Sequence, residues 1–220
     1  VITDGLLLLA GMALLCTPRT WLRLGRPESS RSRKSSRNRD PRRDRQTGDN
    51  SLWPLEEFAR RRNWLDFGRG LAGGYAVVLA VPPLVNEVMH VSGGRYGNLT
   101  MGLIAGVLLA GLLIQMLRIE ERVALYPPIF FLMGLIYPLV GVKAATVAII
   151  AVWVLNIVLP NPAVFLVTFG GLVTIFTVFF GGGEKYAVLA GGLAAFPALA
   201  ATMARRRLAQ FRKKTKIVVR

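Results

Sequence analysis

From about Gly70 to Ala204 the chain is almost continuously apolar. A block of this length has no polar face to present to water, so it is expected to fold in a lipid bilayer, where backbone N–H and C=O groups must be satisfied within the helices themselves. The expected fold class is therefore all-α, a polytopic membrane helix bundle. A spanning helix needs roughly 20 apolar residues at about 1.5 Å rise each. Polar or glycine-rich breaks at Ser92–Asn98, Arg118–Arg122, Pro160–Pro162 and Gly181–Lys185 place spans at about 70–91, 99–117, 163–180 and 186–204. The stretch 125–159 is too long for one crossing, since roughly 35 residues reach about 50 Å. It must fold back, and Gly141-Val142-Lys143 is the expected break.

A further apolar run, Leu6 to Leu15, precedes this block. It has Asp4 and no Lys or Arg ahead of it, and no small-x-small cleavage site behind it, so it is expected to be an anchor helix (residues 1–18) rather than a secretory signal. A processed signal is the alternative. With the anchor included, the count is about seven transmembrane helices. Cys16 is the single cysteine, which excludes an internal disulfide or a thiolate metal cluster.

Charge orients the bundle. The chain has 28 Lys and Arg against 12 Asp and Glu, a net charge of +16. Fifteen of the 28 lie between Thr17 and Arg69, two between Arg118 and Arg122, and eight in Arg205–Arg220, leaving only Arg95, Lys143 and Lys185 for the other side. Because cytoplasmic segments collect Lys and Arg, the N-terminus is expected outside and the C-terminus in the cytoplasm, most simply in a bacterial inner (plasma) membrane. Residues 19–50 are Arg-, Ser-, Asp- and Pro-rich and too polar to form a core, so a disordered basic linker is expected. Near anionic lipid headgroups each of its basic residues contributes about 1 kcal/mol. Nucleic acid is not the expected partner, because no aromatic residues interleave the charges. In 51–69, Leu52, Leu55, Phe58, Ala59 and Leu65 share one helical arc, interrupted by Arg62. This predicts a juxtamembrane interfacial helix, with the chain turning into the membrane at Gly68–Gly70. A six-helix block (70–204) and a basic cytoplasmic tail (205–220) complete the organisation.

Within the spans, Gly70 and Gly74, then Gly102 and Gly106, repeat a small-xxx-small spacing that lets helices approach closely. Ala187, Gly191, Ala194, Ala198 and Ala201 form a similar stripe. Polar chemistry is sparse. Asn86, Glu87 and His90, with a carboxylate and the single histidine near the end of a span, are expected first as a local polar patch at the outer interface with Arg95 as partner, and are the one candidate ligand-binding group. A di-metal site would need a second Glu-x-x-His and further glutamates, which the chain lacks, so no metal is expected. No cofactor signature is present. Gln115 and Asn156 are expected at similar depth near the cytoplasmic side, and Thr168, Thr174 and Thr177 are expected to bond to their own helix backbone. The function expected first is an accessory or scaffolding subunit of a membrane complex, with other membrane subunits or a second copy as partners. A small transporter or channel with a polar site near Glu87 and His90 is the alternative, and a membrane-embedded enzyme the second alternative.

Overall fold

The computed structural model describes residues 2–17, 58, 61–88, 97–119, 123–125, 127–159 and 161–204. Six helices run through them: α1 (Ile2–Cys16), α2 (Arg61–Val88), α3 (Gly97–Met116), α4 (Ile129–Leu155), α5 (Pro162–Phe179) and α6 (Glu184–Met203). Among the described residues, the one non-helical element is an antiparallel ribbon of β1 (Leu117–Ile119) and β2 (Val123–Leu125), with Leu117 opposite Leu125 and Ile119 opposite Val123. Five helices, all but α1, are long and apolar enough to cross a membrane. The structure does not confirm seven crossings. The expected linker 19–50, the tail 205–220 and His90 lie outside the described residues.

The spans end where local chemistry stops a helix. Asn161 caps α5, its Oδ1 accepting from the Val164 N–H at 2.9 Å, with Pro162 in the first turn, where a missing N–H costs no hydrogen bond. At the other end Gly181 takes φ +76°, while the Gly182 N–H donates to the Thr177 carbonyl at 2.8 Å and the Gly181 N–H to that of Val178 at 3.0 Å. This paired closure satisfies carbonyls the helix leaves open and needs a residue without Cβ at the turn.

α4 consists of two helical arms that meet at a break. Gly141 has φ +80° and ψ +164°, a region open only to glycine. The Trp153 Nε1–H reaches the Met133 sulfur at 3.5 Å, and the Tyr137 and Thr146 hydroxyls lie 3.1 Å apart. Residues 20 apart would be about 30 Å distant along a straight helix. The chain therefore doubles back at Gly141, as the length of the apolar run requires. Replacing Gly141 by alanine forces a Cβ into that backbone conformation and is expected to cost about 1–3 kcal/mol, read as a lower thermal transition in detergent.

The packing partners fix the direction of each element. The first arm of α4 runs parallel to α2: a Cβ on Gly134 would overlap the Phe67 carbonyl oxygen and stand 2.8 Å from the Leu71 N, and Gly74 faces Pro138. α1 runs antiparallel to α2. Its fully buried Leu15 sits between Gly73 and Gly111, and Gly11 lies against Ala76. α5 and α6 cross where Gly170 and Gly191 put backbone against backbone, and the Thr174 hydroxyl there donates to Gly170 O on its own helix, with Ala187 O of α6 at 3.3 Å. Thr177 also bonds its own helix, at Val173 O.

Two ends follow from this register. At one lie Thr17, Arg61, Met116, Leu155, Pro162 and Met203, with an aromatic cluster of Phe58, Trp64, Phe130, Trp153 and Phe165 whose contacting ring centroids are 4.9–6.4 Å apart. At the other lie Ile2, Val88, Gly97, Phe179 and Glu184, where the Lys185 ammonium donates to Asn98 Oδ1 at 2.9 Å. We call these the basic end and the far end.

One expectation is corrected at the basic end. α2 is continuous from Arg61 to Val88, so the chain does not turn at Gly68–Gly70, and the boundary placed at Gly70 falls inside the helix. Gly70 instead serves close packing, because a Cβ there would overlap the Phe131 carbonyl oxygen. The apolar arc is also rotated from expectation: Leu65 is exposed while Asn63 and Asp66 are buried. In a bilayer an exposed leucine faces lipid without penalty, and the buried side is taken by groups with polar partners.

Candidate functional site

Buried polar groups gather at the basic end. Asn63, Asp66 and Arg69 stand at three-residue spacing on α2, and Gln115 lies in the last turn of α3. Asp66 is 4% exposed, Arg69 9% and Gln115 5%. All of this is organised by the end of α1. The last carbonyls of a helix have no partner within it, and the helix dipole places partial negative charge there. Arg69 supplies the cation: its Nε and Nη2 donate to the Leu14 carbonyl at 3.2 and 2.9 Å, and Nη2 also donates to that of Thr17. Gln115 Nε2 donates to the Leu15 carbonyl at 2.8 Å and to that of Thr17 at 2.9 Å. The Thr17 hydroxyl closes the turn by donating to the Ala13 carbonyl.

The charge is balanced locally. Asp66 Oδ1 lies 3.6 Å from Arg69 Nη1, so the buried guanidinium has a carboxylate as well as carbonyls. A buried ion contributes little by itself, because desolvation offsets its Coulomb attraction. What the pair does is fix position. A planar guanidinium can hold two carbonyls and a carboxylate at once, which a lysine ammonium does not match. The cluster is a clasp between α1, α2 and α3. Gln115 Oε1 is buried without a hydrogen-bond partner among the described residues.

The residues singled out from the sequence lie elsewhere. Asn86 is exposed in the last turn of α2, about 25 Å along the helix from Arg69. The Glu87 backbone is helical in that turn, and its side chain, like His90, lies outside the described residues. Gln115 and Asn156 are both buried, and the Gln115 amide is directed to α1. No group of three or more His, Cys, Asp or Glu comes together among the described residues. Sequence reasoning placed Arg69 in a membrane flank. The available signal was the Asn63, Asp66, Arg69 spacing directly ahead of an apolar run, with an isolated glutamine closing another span.

By length and apolarity the helices are compatible with a multi-pass membrane protein. Comparison with protein-family models, curated proteins and solved structures gives no match.

Proposed function

We propose that this chain is an accessory or scaffolding subunit of a membrane complex, holding basic segments at one membrane face. One observation carries the reading: Thr17, Arg61 and Ala204, where residues 18–60 and 205–220 join the described structure, all lie at the basic end. Those joining segments contain most of the Lys and Arg in the chain. In this reading the basic end faces the cytoplasm of a bacterial inner membrane and the N-terminus is outside, in keeping with the bias of cytoplasmic segments toward Lys and Arg. Anionic headgroups and acidic surfaces of neighbouring subunits are the chemistry that such segments attract.

The lateral contact is supported by α3. Gly70, Gly74, Gly134, Gly170 and Gly191 are filled by neighbouring helices, whereas a Cβ on Gly102 or Gly106 would meet no atom within 4 Å. The Gly102–Gly106 face is free for a helix of another subunit or a second copy.

Purification of the full chain in a mild detergent tests the proposal. A stoichiometric membrane partner should co-elute, and deletion of 29–45 together with 205–220 should reduce its recovery at least tenfold while the thermal transition of the bundle is unchanged. A solitary protein whose stability rises with a small solute would instead favour a transporter using Asn86, Glu87 and His90. The break at Gly141 favours that second reading, since interrupted helices recur at transport sites.

A further inference from the structure

The two arms of α4, residues 129–140 and 142–155, contain roughly 12 and 14 residues. At about 1.5 Å per residue they reach ~18 and ~21 Å, against a hydrocarbon core of about 30 Å. Their register places the tip below the far end of the bundle. Gly74 faces Pro138; α2 continues from Gly74 to Val88, whereas the first arm has only Leu139 and Val140 left before Gly141. The tip thus stops about 16 Å short of the end of α2. Against α5, the Trp153–Phe165 ring contact places it about 3 Å short.

This tip faces outward and carries one charge, Lys143. Val142 is 61% exposed and Lys143 is exposed, and Lys143 begins a stripe with Val147, Ile150 and Val154 at helical spacing, all exposed. The stripe below Lys143 is apolar and suits lipid tails. A lysine ammonium in hydrocarbon costs several kcal/mol unless water or headgroups reach it. The break at Gly141 adds backbone groups of two helix ends, which hydrocarbon does not satisfy.

We infer that α4 is a re-entrant hairpin, entering and leaving at the basic end, whose tip draws phospholipid headgroups and water of the far leaflet down to Lys143. The lysine stem extends toward the far interface while the headgroups dip toward it, which locally thins the leaflet. Sidedness is unchanged by this, because a hairpin that enters and leaves on one face keeps Met116 of α3 and Pro162 of α5 both at the basic end.

The test uses the full chain in liposomes, with Cys16→Ser and single cysteines at Val142 or, as a far-end reference, Glu184. From the far side a small charged methanethiosulfonate should react at Val142→Cys at a rate within tenfold of Glu184→Cys. A maleimide carrying a 5-kDa polymer should react at least tenfold more slowly at Val142→Cys, relative to the same reference. Adding Lys143→Leu should lower the small-reagent rate at least tenfold, and Lys143→Arg should preserve it. The inference is overturned by polymer labelling equal to the reference, which would put the tip at the surface. Absence of small-reagent labelling from the far side, or a rate indifferent to Lys143→Leu, would overturn it equally.

Discussion

Arg69→Ala is expected to loosen the end of α1 and to lower stability by about 3–5 kcal/mol, the range for removing one partner of a buried ion pair. The loss has two parts. Asp66, 4% exposed, loses the guanidinium beside it, and the Leu14 carbonyl loses both of its donors from Arg69. Gln115 remains on Leu15 and Thr17, so α1 should loosen at its end rather than detach from the bundle. Cys16 lies within this turn and is the single thiol of the protein. Its reaction with a maleimide in detergent should speed up at least tenfold in Arg69→Ala. Arg69→Lys should fall between, because an ammonium retains the charge but not the fork. Cys16 reactivity unchanged in Arg69→Ala would show that Gln115 and the apolar contacts of Leu15 and Gly11 hold α1 without the guanidinium.

Gly134→Ala is the second large effect. The added methyl would overlap the Phe67 carbonyl oxygen, and the Leu71 N lies 2.8 Å away. Both are backbone atoms of a helix, which cannot rotate aside as a side chain does, so the two helices must separate. Overpacking of this kind costs about 3 kcal/mol at its upper range. Gly102→Ala makes the contrast. No atom lies within 4 Å of its Cβ, and a helical glycine replaced by alanine gains about 0.5–1 kcal/mol of conformational entropy. Both variants share that gain, so thermal unfolding in detergent should separate them by the overpacking cost, roughly 3 kcal/mol. Equal transitions would mean that the α2–α4 contact is not rigid.

The outcome of these two substitutions is not visible in the sequence. Gly134 was not singled out there, since its partner glycine, Gly70, lies 64 positions earlier and no local spacing joins them. Gly102 and Gly106 carry the same motif as Gly70 and Gly74, yet only the latter pair is filled. Arg69 has the same character: near the start of a span, a basic residue is the ordinary mark of a membrane boundary. Its burial depends on where the end of α1 arrives, 52 residues away from it along the chain.

What the sequence by itself determined is local or one-dimensional. Runs of apolar residues set which segments become helices, and Asn161-Pro162 and Gly181-Gly182 set where two of them stop, because caps and turns are made by neighbours in the chain. The fold-back at Gly141 belongs here too, being forced by length and permitted by the one residue that adopts φ +80°. The tertiary structure alone decided which glycines touch, which face of α2 is buried, and that the buried charge at Arg69 closes the end of α1. In a membrane, hydrophobicity cannot choose between faces that are all apolar. The choice falls to backbone fit and to a few polar groups, and both depend on partners distant in sequence.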